Sequence, residues 1–175
     1  AIFPNVNIET RIGKDKKIKI RVPWIIPGLG STNIAKNNWE GLAVGAAISG
    51  FPLTIGENVA AMDPESKIVN GKVKRAPDLE WRIQLYNEWQ QNGYGDIIVQ
   101  ANVEDTRLGV QEFAISECGV DTVELKWGQG AKDIGGEVKI KDLEKAQLLK
   151  KRGYVVIPNP LEKESIDAFK QGSFK

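Results

Sequence analysis

Hydrophobic and polar positions divide the chain into a short alternating segment and a longer series of apolar runs. Residues 17–22 alternate strictly between basic and apolar side chains, which predicts a half-exposed β-strand. A second extended segment lies around Val6 and Ile8, and residues 13–15 supply the turn between the two. The sequence therefore predicts an N-terminal β-hairpin extension over residues 1–21.

Beyond residue 22, short apolar runs end in polar or glycine-rich loops, and amphipathic segments follow them. The runs occupy residues 24–27, 51–55, 97–101, 123–127 and 154–157. About five βα units in series are typical of a parallel sheet with both faces covered. Two α/β architectures satisfy this pattern: a doubly wound open sheet, or part of a TIM (β/α)8 barrel.

Capping and turn signals predict the bounds of several elements. Ser31 or Thr32 can cap a helix that Gly50 closes. Asn70-Gly71 is the signal of a tight hairpin. Further helices are predicted from Pro77 to near Gly93, over residues 109–118, over residues 143–152 behind the cap Asp142, and around residues 166–169.

In either architecture, ligands meet the loops that follow the carboxyl ends of the strands. The candidate site is therefore divided among five loops, at residues 28–32, 54–58, 100–107, 128–136 and 158–159. These loops decide which chemistry the chain supports, because loops held by a rigid scaffold carry a large share of binding and catalytic residues.

Composition limits that chemistry. The 175 residues include no histidine and a single cysteine, Cys118. These counts exclude His-based catalysis, a disulfide framework, a Cys-ligated zinc site and an iron–sulfur cluster held by this chain alone. Acid–base work is left to carboxylates, lysine, tyrosine or a bound cofactor, and we expect no metal site.

Charge and hydropathy limit the partners. The chain has 24 Lys and Arg against 23 Asp and Glu, a net charge of +1, which argues for neither nucleic acid nor an anionic membrane surface. The longest uncharged apolar stretch, residues 22–30, contains two prolines and is shorter than the roughly 20 residues that cross a bilayer. No signal peptide is visible. We therefore expect a cytoplasmic protein that binds neither nucleic acid nor membrane.

Residues 126–136 form the densest candidate loop. Their glycines let backbone N–H groups approach a ligand, while Lys126 and Lys132 can hold a carboxylate, a phosphate or the electron-rich end of a reduced flavin ring. The spacing is neither that of a P-loop nor that of the dinucleotide-binding Gly-x-Gly-x-x-Gly. The alternative interpretation is a surface turn with solvated lysines.

The remaining loops carry weaker signals. Glu57 follows a buried strand, either as a catalytic carboxylate or as part of a helix cap. Gly30 and Ser31 can present backbone amides to a cofactor ring, or simply lead into a helix. Arg107 suits an anion site, or a surface ion pair with the acidic residues before it.

Together and in order, these loops resemble the FMN-binding domain of the glutamate synthase large subunit and its archaeal-type relatives. The most specific match is the family's Lys-x-x-Gln-Gly-Ala-Lys-Pro-Gly-x-Gly-Gly, which residues 126–136 follow with the Pro-Gly pair changed and one residue lost. Residues 30–31 resemble the family's Gly-Ser turn, residues 54–57 its Asn-Thr-Gly-Glu stretch, and residues 107–110 its Arg-Phe-Gly-Val. The resemblance extends over residues 27–160.

The resemblance implies an FMN-dependent oxidoreductase of nitrogen metabolism that acts on CH–NH2 donors. In such a domain a (β/α)8 barrel holds FMN and reduces 2-iminoglutarate, formed from 2-oxoglutarate and ammonia. The implied ligand is 2-oxoglutarate or another small dicarboxylate. Carried over, the catalytic residues are Lys126 and Glu57, the cofactor-binding residues are Gly30, Ser31, Gln100, Lys126 and Gln129, and the substrate-binding residues are Arg107, Gln129 and Lys132.

Departures from the family pattern modify this expectation. About five of eight barrel units are present, so residues 22–175 are expected to form a partial FMN-binding barrel domain, completed by further chain or by a partner subunit. Barrel phosphate sites usually follow strands 7 and 8, so FMN should not be fully bound by this chain alone. The family's iron–sulfur cysteines have no counterpart in the sequence, so no iron–sulfur cluster is expected from it.

Two alternatives stay open on the sequence. In one, the chain is a non-catalytic scaffold or ligand-binding α/β subunit of a larger complex, and has lost the flavin. In the other, which lies outside the family, a doubly wound α/β protein binds a phosphorylated ligand through residues 128–136.

Overall fold

The three-dimensional structure is a computed structural model, and it describes residues 6–15, 17–127 and 140–171, with side chains as far as residue 167. Within these ranges the elements follow in the order β1 (Thr10–Ile12), β2 (Ile18–Ile20), β3 (Ile26–Leu29), α1 (Asn33–Ser49), β4 (Leu53–Ile55), α2 (Val59–Met62), β5 (Lys67–Val69), β6 (Lys72–Arg75), α3 (Pro77–Trp89), β7 (Ile97–Ala101), α4 (Val103–Leu108), α5 (Val110–Ser116), β8 (Thr122–Leu125), α6 (Leu143–Lys151) and α7 (Lys163–Gln171). None of these helices combines the length and apolar character needed to cross a membrane.

Strands β3, β4, β7 and β8 form a parallel four-stranded sheet in that spatial order. Each strand therefore lies beside the one that precedes it among the four, and the order does not reverse within the sheet. The pairs β1–β2 and β5–β6 are separate and antiparallel. The protein is thus a mixed α/β protein built from βα units, as the sequence pattern predicts.

The N-terminal hairpin is formed by β1 and β2, with Ile12 opposite Ile18. Its first strand lies later than the predicted segment around Val6 and Ile8. The difference follows from the turn, because Gly13 takes a positive φ of 106° directly after Ile12 and so fixes which residues pair across it.

Helix ends lie where the capping signals predict them. Thr32 begins α1 by accepting a hydrogen bond from Ala35 N at 3.2 Å, and Gly50 ends that helix in the left-handed conformation (φ 74°). Asp142 begins α6 by accepting from Lys145 N at 2.7 Å. The predicted Asn-Gly hairpin is also formed, between β5 and β6.

One face of the parallel sheet is buried against helices. Because successive side chains of a strand point to opposite faces, Thr54, Ile98 and Gln100 lie on the other face. The main hydrophobic core joins strand residues Leu53, Ile55, Ile97 and Val99 to helix residues such as Trp39, Leu79, Ile83 and Phe113.

The fifth predicted strand, at residues 154–157, is not formed. Val155 and Ile157 are exposed, whereas Val156 is buried in a small second core with Ala146 and Leu149 of α6. This apolar run therefore packs on a helix instead of pairing with a strand. The described sheet has four strands, and the prediction of about five βα units is wrong in this respect.

Residues 100–107, predicted as a loop, contain the end of β7 and helix α4. The side chain of Asn102 begins α4 by accepting hydrogen bonds from Glu104 N and Asp105 N, both at 3.0 Å. Asp105 completes a capping box, which starts a helix where the pattern of apolar residues gives no sign of one. The helix predicted over residues 109–118 is the shorter α5.

Arg82 on α3 is completely buried and ties the end of β3 to the helices. Its guanidinium donates to the carbonyl oxygens of Gly30 at 3.0 Å and Leu29 at 3.4 Å. It also pairs with Asp78 at 3.3 Å and lies over the Trp39 ring. Since a buried charge is tolerated when it is paired and hydrogen-bonded, Arg82 can hold the β3 end in place.

Replacing Arg82 by Met is expected to lower the free energy of unfolding by about 3 kcal/mol, because the two backbone carbonyl oxygens that it binds lose a charged hydrogen-bond donor. Asp78 loses one partner but keeps Lys36 at 3.6 Å. Urea denaturation followed by tryptophan fluorescence measures this change. The matched control is Arg21→Met, since Arg21 also lies over an aromatic ring, that of Tyr94, but is exposed. The control should cost less than about 1 kcal/mol; equal costs would contradict the role given to Arg82.

Candidate functional site

An ion pair crosses the carboxyl edge of the parallel sheet. Lys126 Nζ lies 2.7 Å from Glu57 Oε1, so the residue that follows β8 contacts the turn that follows β4, across the end of β7. The two side chains are 26% and 18% exposed. The backbone of Lys126 is fixed as well, because its N–H donates to Ala101 O at 2.8 Å. The pair is therefore both accessible to a ligand and held by the sheet.

The ends of β3 and β4 touch through their backbones. Gly56 N donates to Leu29 O at 2.9 Å, and a Cβ added to Gly56 would lie 2.6 Å from Gly30 N. A Cβ added to Gly30 would lie 2.6 Å from Glu57 O. Both glycines are therefore required by this contact, because real Cβ atoms do not approach backbone atoms so closely.

Polar side chains continue from the edge onto the sheet face that does not join the main core. Gln100 donates to Glu124 Oε1 at 2.6 Å, and its amide lies 3.2 Å from the position of a Cβ added to Gly28. Thr54 is buried on the same face, and its hydroxyl has no hydrogen-bond partner among the described residues. This face thus combines amide, carboxylate and hydroxyl groups.

A second network holds the turn after β4 from the side of α4. Asn58 follows Glu57 in the left-handed conformation (φ 68°) and begins α2 without a cap from its own side chain. Its backbone N–H donates to Asp105 Oδ2 at 2.8 Å, and its side-chain oxygen accepts from Asn102 Nδ2 at 2.9 Å. The start of α4 therefore fixes the residue next to Glu57.

Asp105 is the most buried carboxylate of this region, at 1% exposure. Burial raises its pKa, the hydrogen bonds from Asn58 and Asn102 lower it, and the carboxylates of Glu57 and Glu104 raise it, so that the resulting pKa is about 6. Its second oxygen, Oδ1, has no hydrogen-bond partner among the described residues. A buried carboxylate with a raised pKa is a common property of functional sites, although structural networks produce it too.

The structure brings together part of the predicted site. Lys126 and Glu57 are in direct contact, and Gly30 touches the backbone of Glu57. Gln100 lies on the sheet face below this edge, with Glu124 as its partner, and Ser31 is exposed.

Arg107 lies on α4, not in a loop, and forms an ion pair with one of the acidic residues before it, as in its simpler interpretation: Glu104 lies at 3.6 Å, with Arg107 exposed and Glu104 buried. Gln129 and Lys132 lie outside the described residues, as does the whole of the predicted loop at residues 128–136. The roles assigned to all of these residues stay predictions. Among the described residues, no group of three or more Cys, Asp or Glu side chains is arranged to hold a metal ion.

Sequence reasoning missed Asn102, Asp105 and Arg82. The first two were detectable, since an Asn followed three residues later by an acidic residue is a capping-box signal. Arg82 was not, because an arginine between Leu79 and Ile83 on an amphipathic helix has the same pattern as a surface residue.

No family model, curated protein or solved structure matches the chain. Its class is therefore defined by fold and site alone: a mixed α/β protein with a parallel four-stranded sheet and a lysine–glutamate pair at the carboxyl edge of that sheet.

Replacing Gly56 by Ala should lower the free energy of unfolding by about 2–3 kcal/mol, because the new methyl group meets backbone atoms that have no room to move. Chemical denaturation measures the change. The control is Gly45→Ala on the exposed side of α1, where a Cβ meets nothing within 4 Å and should stabilise the helix by about 0.5–1 kcal/mol. A tolerated Gly56→Ala would show that the β3–β4 contact is looser than described.

Replacing Asp105 by Asn should change how stability depends on pH. Because the pKa of Asp105 is raised from 3.8 to about 6 in the folded protein, the folded state holds this proton more tightly than the unfolded chain. The contribution of Asp105 to stability therefore falls as pH rises from about 4 to about 6, by about 3 kcal/mol in all, and is level above that range.

Urea denaturation at intervals between pH 4 and pH 8 measures the difference in stability between wild type and Asp105→Asn. The free energy of unfolding of wild type should fall relative to that of the variant as the pH rises from 4 to 6. The control is Asp15→Asn in the exposed hairpin turn, which should change stability by no more than about 0.5 kcal/mol at any pH. A difference between wild type and Asp105→Asn that does not vary with pH would contradict the prediction.

Proposed function

We propose that this chain supplies part of a flavin-dependent active site of the glutamate synthase type. In this proposal FMN reduces an imino acid such as 2-iminoglutarate, formed from 2-oxoglutarate and ammonia. One observation carries the proposal: Lys126 and Glu57, which the family resemblance assigns from two separate loops to catalysis, lie 2.7 Å apart at the carboxyl edge of the sheet. This edge is where α/β proteins bind ligands.

The proposal includes a (β/α)8 barrel as the complete architecture, with β3, β4, β7 and β8 as consecutive strands of its wall. Two features support it. The four strands are parallel and lie side by side in chain order, without the reversal of order found in a doubly wound sheet. The sheet face opposite the helices carries Gly28, Thr54, Gln100 and Glu124, and a barrel interior receives the side chains of such a face. Further strands from more chain or from a partner subunit would complete the wall.

The chemical groups at this edge fit the ring end of a flavin. Lys126 is a cation with part of its surface exposed, and the Gln100 amide offers both a donor and an acceptor. FMN, when bound, supplies the hydride and accepts electrons from the donor.

The roles of the residues follow from their charges and positions. Lys126 would stabilise negative charge on a ligand at the edge, since a charge-assisted hydrogen bond is stronger than a neutral one. Glu57 holds the ammonium group of Lys126 before a ligand arrives, and an anionic ligand would compete with it for that group. Gly30 and Ser31 would offer backbone groups to the ring. Arg107, together with Gln129 and Lys132, would bind the carboxylates of a small dicarboxylate.

The second candidate is a non-catalytic α/β subunit that has lost the flavin. It is favoured by the internal pairing of polar groups at the edge, where Lys126 forms an ion pair with Glu57 and Gln100 donates a hydrogen bond to Glu124. A charge pair of this kind can stabilise a fold without binding any ligand. Flavin binding distinguishes the two candidates.

The visible absorption spectrum of the isolated protein, and its titration with FMN, test the proposal. Flavin bands, or saturable binding of added FMN, are expected from the protein alone or together with the natural partner that completes the barrel. Lys126→Met should then weaken FMN binding by about tenfold or more, because a hydrogen bond to a charged group contributes about 1.5–3 kcal/mol. Glu57→Gln should still bind FMN, because it leaves Lys126 in place, but the affinity should change, because Lys126 loses its carboxylate partner.

The matched control is Lys141→Met. Lys141 also forms an ion pair with a glutamate, Glu65, but both side chains are exposed and neither follows a strand of the parallel sheet. FMN affinity should be unchanged in this variant. A colourless protein that binds no added FMN, either alone or together with its natural partner, would overturn the flavin proposal and leave the non-catalytic subunit. Equal losses in Lys126→Met and Lys141→Met would remove Lys126 from the site.

A further inference from the structure

Contacts from other elements hold the turn that carries Glu57. Asn58 takes a left-handed backbone conformation, which costs a non-glycine residue about 1 kcal/mol or more unless its surroundings hold it. Its side chain does not cap α2, although Asn58 occupies the cap position. Both of its hydrogen bonds that cross to another element go to the start of α4, to Asn102 and Asp105.

The carboxylate of Asp105 is not the main cap of the helix to which it belongs. Asn102 already caps α4 by accepting from two backbone N–H groups at 3.0 Å. The bond that Asp105 Oδ2 accepts from Asn102 N is long, at 3.3 Å, whereas the bond from Asn58 N is 2.8 Å. The stronger contact of this carboxylate is therefore with the turn beside Glu57.

The Glu57 backbone is thereby held from both sides. On the β3 side, its carbonyl oxygen lies against Gly30, at a distance that leaves no space for a side chain there. On the α4 side, the next residue is bound by Asp105. Between these two supports the Glu57 side chain reaches Lys126.

From this geometry we propose that Asp105 is a positioning residue: its carboxylate holds the Glu57–Asn58 turn so that Glu57 meets Lys126 at the edge of the sheet. The positioning itself rests on contacts within the chain. Its consequence for flavin binding rests on the proposed function above.

The charged groups around Asp105 give this positioning a pH dependence. Glu57 faces it from the turn after β4, and Glu104 from its own helix. Glu104 in turn is paired with Arg107 and with Arg152, and Tyr154, in the segment after α6, is close enough to interact with the same group of charges. Burial and the two neighbouring carboxylates raise the pKa of Asp105 to about 6. Below that pH the charge is lost, and the bond from Asn58 N becomes a weaker neutral one.

NMR spectroscopy tests the positioning without any ligand. In wild type, the Asn58 amide signal and the side-chain signals of Glu57 and Lys126 should share a pH-dependent transition. Its midpoint should lie near pH 6, because the pKa of Asp105 is raised to about 6. In Asp105→Asn this transition should be absent. The control is Asp142→Asn, which removes the carboxylate that caps α6 and should leave the Glu57 and Lys126 signals unchanged. The wild-type titration is informative even if Asp105→Asn does not fold.

Flavin binding then tests the consequence. Asp105→Asn, which removes the charge, should weaken FMN binding at pH 7 by about fivefold. This is the ratio expected when a charge-assisted hydrogen bond becomes neutral. If Asp105 acts through Glu57, Asp105→Asn should have no additional effect in a Glu57→Gln background.

Each outcome has a separate meaning. A transition at Asn58 that does not reach Glu57 or Lys126, or effects of Asp105→Asn and Glu57→Gln that simply add, would overturn the positioning role and leave Asp105 a structural residue. A shared transition in a protein that binds no FMN would support the positioning and overturn the flavin proposal.

Discussion

The contact between the ends of β3 and β4 is the constraint on which the candidate site depends. The two backbones are so close that only glycine fits at residues 30 and 56. Arg82 on α3 holds the same segment by donating a hydrogen bond to the carbonyl oxygen of Gly30. The contact fixes the backbone position of Glu57. A side chain on a fixed backbone loses less conformational freedom when it forms an ion pair. A short bond to Lys126, which lies 69 residues away in sequence, is therefore possible at a partly exposed edge.

Local features of the fold could be predicted from the sequence, whereas features that depend on distant packing could not. The helix bounds at Thr32 and Gly50 and the Asn-Gly hairpin were predictable because each is determined by hydrogen bonds within a few residues. The parallel sheet was predictable from repeated apolar runs. The run at residues 154–157 was not distinguishable from a strand, since four apolar residues pack equally well on a helix or in a sheet, and Val156 packs against α6.

The candidate site was predictable in its members but not in its arrangement. The resemblance assigned roles to Lys126 and Glu57 without indicating that they touch. It assigned Gly30 to flavin binding. The structure gives a second reason for a glycine at this position, because the backbone of Glu57 leaves no space for a side chain there. Asp105 was read as part of a surface ion pair with Arg107, because sequence shows the charges of neighbours and not which of them is buried. Burial is set by how α4 packs against the turn after β4, and that contact joins residues 47 positions apart.

The energetics of Asp105 bear on the choice between an active site and a scaffold. A scaffold gains little from a buried carboxylate with one oxygen unpartnered among the described residues, since an asparagine of nearly the same shape accepts the same backbone bonds, more weakly, without the cost of burying a charge. A ligand site does gain, because the buried carboxylate of Asp105 fixes the backbone beside Glu57 and thereby the position in which Glu57 meets Lys126. The structure thus has an energetically unfavourable group next to the Lys126–Glu57 ion pair at the carboxyl edge of the sheet. Costs of this kind are found where binding or catalysis, rather than stability, determines which residue is present, and this weighs in favour of a ligand site at the edge.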